Sequence, residues 1–199
     1  MRYREIRENL KNKRVGIAGA GGLGSNCAVA LARSGVGTLV ICDFDMVESV
    51  NLNRQAYFSS QVGMLKTEAL KENIRNIDPE INVITHEERL TPENIPLFYR
   101  NCDAIVEALD EADMKVMLLQ TVLECLPGIP LIIGSGIAGW GNTDALRCRR
   151  VDDLLYVCGD ESTEADDDNP PVAPRVGMVA NMQANTVLEL ILAKPAKNL

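Results

Sequence analysis

The sequence has 199 residues, and its 28 acidic side chains outnumber its 20 lysines and arginines to give a net charge of −8. Because a surface that binds nucleic acid must be basic, this balance argues against nucleic acid as the main partner. No apolar run approaches the roughly 18 residues of a membrane span. Together with a composition of 46% hydrophobic and 24% charged residues, this predicts a soluble globular protein.

The first twelve residues predict an amphipathic helix and lack the apolar segment of a signal peptide. Tyr3, Ile6 and Leu10 recur at helical spacing on one face. The opposite face is mostly basic and carries Arg2, Arg4, Arg7 and Lys11. A solvated charged face is the simpler interpretation. In the alternative, one arginine reaches an anionic site, for example in a neighbouring subunit.

A glycine-rich stretch follows a short apolar run of β-forming residues, 15–18, and precedes a helical pattern over 25–33. The predicted loop holds four glycines: Gly19, Gly21, Gly22 and Gly24. Glycines let a loop approach a ligand closely, and the N–H groups and dipole of the following helix favour an anion. The arrangement predicts a nucleotide-phosphate site but does not identify the nucleotide.

Strands and helices alternate along the rest of the chain, which predicts an α/β fold: a Rossmann-like, doubly wound, mainly parallel sheet with helices on both faces. The predicted strands are 39–42, 82–85, 104–108 and 131–134, with one or two more within 144–158. The predicted helices are 62–76, a short one opened by Thr91-Pro92, 111–126 and 176–193. We expect a single domain over 1–199, with a mobile acidic loop at 160–172.

Two carboxylates come directly after predicted strands. Asp43 lies about twenty residues past the glycine loop, where an acid accepts hydrogen bonds from the ribose of a nucleotide. Asp110 follows a later strand and could hold a metal or simply cap the next helix. Because ligands bind at the carboxyl edge of an open α/β sheet, both residues fall at the predicted site.

Two cations near these carboxylates bear on the chemistry. Arg54 lies in the long polar connection 44–60, and Lys66 lies in an i, i+4 row with Val62 and Leu70 that borders an apolar helix face. Each residue also has an interpretation without a functional role. Arg54 could be an exposed loop arginine, and Lys66 could be a lysine with a buried aliphatic chain and an ammonium in water. With Asp110, however, two cations favour reaction at a triphosphate with Mg²⁺.

An NAD-dependent oxidoreductase is the alternative, since it would share the glycine loop and Asp43. Hydride transfer needs no cations beside the phosphates. The only histidine, His86, is expected in a loop rather than in a catalytic position. Phosphate chemistry is therefore favoured.

Six ordered segments resemble the ThiF/MoeB/HesA adenylating enzymes, which are relatives of the ubiquitin-activating enzymes. These segments are Gly19–Ser25, Ala32–Gly37, Asp43–Val47, Asn51–Gln55, Val62–Lys66 and Ala173–Gly177. The resemblance spans about residues 13–193 and looks most like a compact ThiF of thiamine biosynthesis.

The resemblance implies an ATP-dependent adenylyltransferase. The C-terminal glycine carboxylate of a small ubiquitin-like sulfur carrier, which ends in Gly-Gly, would attack the α-phosphate of ATP to give an acyl-adenylate and pyrophosphate. No general base is needed, because a carboxylate is already ionised at neutral pH. A cytoplasmic homodimer is expected.

Matching by motif assigns roles to individual residues. The expected nucleotide contacts are Gly19, Gly21, Gly22, Gly24, Asp43, Asp45, Asn51, Arg54 and Lys66. Among them, Asp43 would hold the ribose, while Asn51, Arg54 and Lys66 would bind and polarise the phosphates. Asp110 would hold Mg²⁺, so the predicted catalytic residues are Arg54, Lys66 and Asp110.

The sequence departs from the family pattern at three places. Many relatives have two Cys-x-x-Cys pairs for structural zinc, which are absent here, so no zinc is predicted. Several relatives carry a reactive cysteine in the loop that corresponds to 161–172, where this chain has none; Cys158 is the nearby substitute, more simply read as structural. The family's N-terminal arginine has no match in spacing, which leaves Arg2, Arg4 and Arg7 as candidates.

Two further functions remain open within the same fold. A related branch activates a modified tRNA base, although the acidic charge and short C-terminus argue against it. A non-catalytic carrier-binding protein would bind a carrier without releasing pyrophosphate. The six cysteines have no paired spacing and favour a reducing cytoplasm.

Overall fold

The computed structural model describes residues 1–193 and contains a central sheet of seven strands in the order β3-β2-β1-β4-β5-β7-β6. Neighbouring strands are parallel except for the β6–β7 pair. The strands are β1 (Arg14–Ala18), β2 (Thr38–Cys42), β3 (Asn82–His86), β4 (Ala104–Glu107), β5 (Leu131–Gly134), β6 (Arg147–Arg150) and β7 (Leu155–Gly159). The α-helices are α1 (Tyr3–Leu10), α2 (Gly22–Ser34), α3 (Lys66–Ile77), α4 (Asn94–Tyr99), α5 (Ala112–Cys125) and α6 (Ala173–Leu192).

Helices cover both faces of the sheet because the central strands are apolar on both faces. In β2, Leu39 and Ile41 point into one buried cluster, whereas Val40 and Cys42 point into the other. The first cluster includes residues of α2, α3 and α6, and the second includes residues of α4 and α5. This arrangement confirms the predicted doubly wound, Rossmann-like fold.

The strand order reverses at β1, which pairs with β2 on one side and β4 on the other. The connections from the two neighbours therefore leave in opposite directions and open a crevice at the carboxyl edge of β1. Both the glycine segment after β1 and the turn after β4 meet at this crevice.

Several predicted boundaries differ from the structure. The helix predicted over 62–76 begins only at Lys66, and α6 begins at Ala173 rather than at 176. The connection 44–60 holds two short 3-10 helices, Ser49–Asn53 and Ser59–Gln61. His86 was expected in a loop, but it is the last residue of β3 and its ring stacks on that of Phe98.

The acidic segment 160–172 connects β7 to α6 and is anchored at both ends. The Asp160 carboxylate forms an ion pair with Arg175, and the Gly139 N–H donates to the Pro170 carbonyl over 3.0 Å. The mobility of the segment between these anchors remains a prediction. Within residues 1–193, no helix has the length and apolar character needed to cross a membrane.

Candidate active site

The glycine segment joins β1 to α2 in the crevice. Gly19 has a φ of +96°, a left-handed conformation that L side chains disfavour, and its N–H donates to the Cys42 carbonyl over 2.9 Å. The N–H of Ala20 donates to a carboxylate oxygen of Asp43 over 2.6 Å. These bonds fix the start of the segment against the end of β2.

The prediction that Gly22 and Gly24 belong to the loop is wrong, because α2 begins at Gly22. The helix accepts these glycines because α2 packs tightly on the loop: a Cβ at Gly24 would lie 1.9 Å from the Gly19 carbonyl oxygen. The N-cap residue, Gly21, offers no side chain, and the first turn of α2 contains no acidic residue. The N–H groups at this helix end can therefore serve an anion.

Asp43 follows β2 and is held in a fixed orientation by backbone donors. Its carboxylate accepts the N–H of Ala20 and, over 2.8 Å, that of Asp45. Burial raises the pKa of Asp43, although these N–H groups and the nearby Lys66 ammonium act in the opposite direction. An oriented carboxylate at this strand end has the chemistry expected of a ribose-binding group.

Lys66 is the first residue of α3, so the predicted i, i+4 row with Val62 does not exist. Its side chain is only 9% exposed, and its ammonium donates to a half-exposed carboxylate, that of Asp45, over 2.7 Å. This contradicts the alternative interpretation of Lys66, in which the ammonium would reach bulk water at the end of a buried side chain. A cation held beside Asp43 and Asp45 is available to a bound phosphate.

Tyr57 connects α3 to the glycine segment and was not predicted from the sequence. Its hydroxyl lies 2.7 Å from the Ala20 carbonyl oxygen and 3.3 Å from the Lys66 carbonyl oxygen, and the ring is buried. The one signal in the sequence was an aromatic residue within a polar connection. Tyr57 thereby fixes the position of Lys66 relative to the loop.

Arg54 lies across the start of α2. Its Cγ is 3.7 Å from the position that a Cβ on Gly22 would occupy, and its guanidinium donates to Asn53 over 2.9 Å. Asn26 of α2 donates to the carbonyls of both Gly22 and Arg54. Asn51, by contrast, uses its side-chain oxygen to accept the Glu48 N–H within its own 3-10 helix.

Asp110 is exposed in the turn after β4. The turn is fixed by Glu107, which is fully buried and accepts the Leu109 N–H over 2.7 Å and two bonds from the Lys115 ammonium. Burial raises the pKa of Glu107, and Lys115 opposes that shift. Glu107 and Lys115 were missed, although a lone acid within an apolar strand was a signal. The Ala108 carbonyl packs under Gly19, which brings the turn to the loop.

The residues present fit a Mg²⁺ ion that arrives with a nucleotide. Within the described part of the chain, no cluster of three or more His, Cys, Asp or Glu side chains could hold a metal alone. Mg²⁺ commonly takes only one or two carboxylates, with substrate phosphates and water completing its ligands. Asp110 can supply such a carboxylate, whereas Glu107 is already committed to Lys115.

Cys158 lies in the core, where its thiol is shielded from an external substrate such as a carrier's C-terminus. Its side chain is fully buried, and burial raises the pKa of the thiol far above its usual range. The raised pKa disfavours the thiolate, so Cys158 is not suited to attack an external carrier.

The N-terminal arginines lie on α1 or immediately before it. Arg7 forms an ion pair with Asp78, and Arg4 pairs with Glu8 within the helix. Arg2 is exposed. It remains a prediction that one of these side chains reaches a partner's nucleotide. Arg7 is the least available of the three for this role, because it is paired with Asp78.

Comparison with known proteins places the sequence in a family. The profile of the ThiF family matches residues 3–199. The chain is similar to the adenylyltransferase and sulfurtransferase UBA4 of Saccharomyces cerevisiae, with 32% identity over 190 residues, which cover 92% of this chain and 42% of that protein. The similarly named protein of Aspergillus terreus is 39% identical over 129 residues, covering 64% of this chain and 26% of its own length. The chain thus spans less than half the length of these curated relatives.

Solved structures show the same fold. The Escherichia coli tRNA N6-threonylcarbamoyladenosine dehydratase TcdA, in complex with ATP, superposes with a TM-score of 0.87 at 21% identity, over 98% of this chain and 92% of that one. Escherichia coli MccB, in complex with MccA carrying an N7-isoAsn, gives a TM-score of 0.72 at 23% identity, over 96% and 61% of the two chains.

Proposed function

The chain belongs to the ThiF family, and from this premise we propose that it is an ATP-dependent adenylyltransferase that activates the C-terminal carboxylate of a small ubiquitin-like sulfur carrier. The observation that carries the proposal is the Lys66 ammonium, held beside Asp43 and Asp45 next to the bare N-terminus of α2. A phosphate-binding helix end with a buried cation beside it suits reaction at a phosphate better than hydride transfer.

In the proposed reaction, a carboxylate oxygen of the carrier attacks the α-phosphorus of ATP. The new O–P bond forms as the bond from the α-phosphorus to the bridging oxygen breaks, and pyrophosphate leaves with that electron pair. The carboxylate is already ionised, so no proton has to be removed. Catalysis then consists of positioning and charge stabilisation.

Each of the described side chains has a role in this scheme. Asp43 binds the ribose hydroxyls through a carboxylate that the Ala20 N–H already orients. Lys66 and Arg54 stabilise the charge that develops on the leaving phosphates. Asp110 would hold Mg²⁺, which when bound neutralises part of the pyrophosphate charge.

The partner we propose is a small carrier that ends in Gly-Gly, which agrees with the similarity to UBA4, a protein named as an adenylyltransferase and sulfurtransferase. A homodimer located in the cytoplasm and a role in thiamine biosynthesis complete the proposal. The thiamine role rests on the motif resemblance alone.

The decisive experiment is ATP–pyrophosphate exchange in the presence of Mg²⁺ and purified carriers that end in Gly-Gly. We expect exchange that depends on the carrier and disappears when its terminal glycine is deleted. ATP binding without exchange for every carrier tested would contradict adenylation and favour a non-catalytic carrier-binding protein. Binding of NAD without a need for Mg²⁺ would favour an oxidoreductase.

A second candidate is a tRNA-modifying dehydratase. It is supported by the superposition on TcdA, in which this chain covers 92% of that protein's chain. The net charge of −8 opposes it, since tRNA binding requires a basic surface. ATP turnover stimulated by tRNA bearing a threonylcarbamoyl base, and not by any carrier, would establish this candidate in place of the first.

A further inference from the structure

Two cysteines face each other across the antiparallel strands β6 and β7. Cys148 and Cys158 are register partners in this pair. Just beyond the strand end, the Val151 N–H donates to the Leu155 carbonyl over 2.8 Å, which marks a hydrogen-bonded pair. Hydrogen-bonded and non-hydrogen-bonded pairs alternate along such a ladder, so Cys148 and Cys158, three steps away, form a non-hydrogen-bonded pair.

This type of pair places the two side chains closest together. Its Cα atoms lie about 4.5 Å apart, within the roughly 4.4–6.8 Å that disulfides span. Both thiols point toward α6, because the Thr186 hydroxyl lies 3.2 Å from the Cys148 Sγ and 4.0 Å from the Cys158 Sγ. The two sulfur atoms are therefore neighbours on one face of the sheet.

The two thiols differ in access to solvent. Cys148 is exposed on the edge strand, whereas Cys158 is fully buried. An accessible thiol next to a resolving thiol is the arrangement found in redox-sensitive proteins. Cys148 can meet a small oxidant at the edge of the sheet, and the buried Cys158 thiol can react only with its neighbour.

We propose that Cys148 and Cys158 form a reversible disulfide when the protein meets a peroxide. The Cys148 sulfur attacks hydrogen peroxide, so that an S–O bond forms, the O–O bond breaks and water leaves. The Cys158 sulfur then attacks the resulting sulfenic acid; an S–S bond forms, the S–O bond breaks, and the departing hydroxide takes up the Cys158 thiol proton as water. In total, two thiols and one peroxide give one disulfide and two water molecules, and a small thiol reverses the reaction.

The disulfide would tie the edge strand β6 to β7 just before the acidic segment. Cys158 is followed closely by Asp160, which pairs with Arg175 of α6. Closing a loop of about ten residues restricts the unfolded chain, so we expect the oxidised protein to melt about 5 °C higher than the reduced protein.

The test is mild oxidation of the full chain with hydrogen peroxide, followed by alkylation of the remaining thiols and peptide mass spectrometry. We expect a linked pair of peptides containing Cys148 and Cys158, the loss of two hydrogens from the intact monomer, and recovery with dithiothreitol. Cys148→Ser should abolish the product, and this exposed substitution should leave the fold intact.

Cys125 provides the matched control, since it is exposed and lies at the end of α5, outside the β6–β7 pair. Cys125→Ser should leave disulfide formation unchanged. Oxidation of Cys148 to the sulfinic acid while Cys158 stays alkylatable would overturn the proposal. A disulfide between the Cys125 residues of two chains, without the Cys148–Cys158 link, would overturn it as well.

Discussion

At the scale of single residues, the candidate site combines charges that differ in their environment. Lys66 is buried while its partner Asp45 is half exposed, and Asp110 is exposed after β4, at the same carboxyl edge of the sheet. An ion pair with one exposed member contributes little to the free energy of unfolding. We therefore expect the Lys66 ammonium to contribute to ligand binding rather than to folding. Replacing it should lower activity and leave the free energy of unfolding nearly unchanged.

Lys66→Met keeps the apolar stem and removes only the charge. We expect carrier-dependent ATP–pyrophosphate exchange to fall about a hundredfold, because the phosphates lose a cation. The free energy of unfolding should change by no more than about 1 kcal/mol, measured by urea denaturation. Arg75→Met, on an exposed position of the same helix, is the control and should alter neither quantity. Unchanged exchange in Lys66→Met would remove Lys66 from the site.

Asp110→Asn tests the proposed metal contact. The exposed position predicts an unchanged melting temperature, while exchange should fall about a hundredfold and require more Mg²⁺ for half-maximal rate. Asp113→Asn, on the exposed first turn of α5, should leave the Mg²⁺ dependence as it is. If both variants show the Mg²⁺ dependence of the original protein, the metal is held elsewhere.

At the scale of elements, the sequence predicted those parts of the fold that depend on local pattern. Apolar runs located strands β1 to β5, and the glycine segment located the crevice. The start of α3 was missed because residues 62–65 pair with the preceding connection: the Val47 N–H donates to the Met64 carbonyl, and the Gly63 N–H donates to the Val47 carbonyl. Such tertiary pairing overrides helical periodicity and cannot be seen in the sequence.

The candidate site depends on local pattern and on tertiary contacts. The sequence indicated which residues carry suitable chemistry, and the structure shows contacts that connect several of them. Tyr57, however, acts through Ala20, which is 37 residues away, and Glu107 acts through Lys115 in the helix that follows its own strand. Their roles depend on burial and distance, and no local spacing encodes these.

Two glycines of the same segment should respond oppositely to alanine. Gly24→Ala places a Cβ 1.9 Å from the Gly19 carbonyl oxygen, so α2 must shift, at a cost of at least about 2 kcal/mol in unfolding free energy. Gly21→Ala meets nothing closer than 3.9 Å and should fold normally. If the helix end binds phosphate, Gly21→Ala should still weaken ATP binding, as measured by calorimetry. Equal stability of the two variants would contradict the close approach.

At the scale of the whole molecule, α6 connects the sheet to the candidate site. It packs along α2, whose N-terminus faces the crevice, and its Val176 side chain lies against Gly22. Arg175 joins α6 to Asp160 at the end of β7 through an ion pair in which both side chains are almost fully buried. Removing one member of such a pair leaves an uncompensated charge, so this contact should influence the stability of the whole fold.

The pH dependence of unfolding tests the charge on the Asp160 carboxylate. Burial alone would raise the pKa of Asp160, but hydrogen bonds from the backbone N–H groups and hydroxyls of Thr163 and Ser162 lower it to about 2. A carboxyl whose pKa is lower in the folded state stabilises the protein above its unfolded pKa, near 4, and loses that contribution as the pH falls toward 2.

Asp160→Asn should therefore lower the free energy of unfolding by about 3 kcal/mol at pH 7, and the difference from the original protein should shrink between about pH 4 and pH 2. Urea denaturation across this range measures both values. Asp153→Asn is the control, because its pair with Arg150 is highly exposed, and it should change stability by no more than about 0.5 kcal/mol at any pH. A deficit in Asp160→Asn that stays constant down to pH 2 would show that its cause is lost packing rather than lost charge.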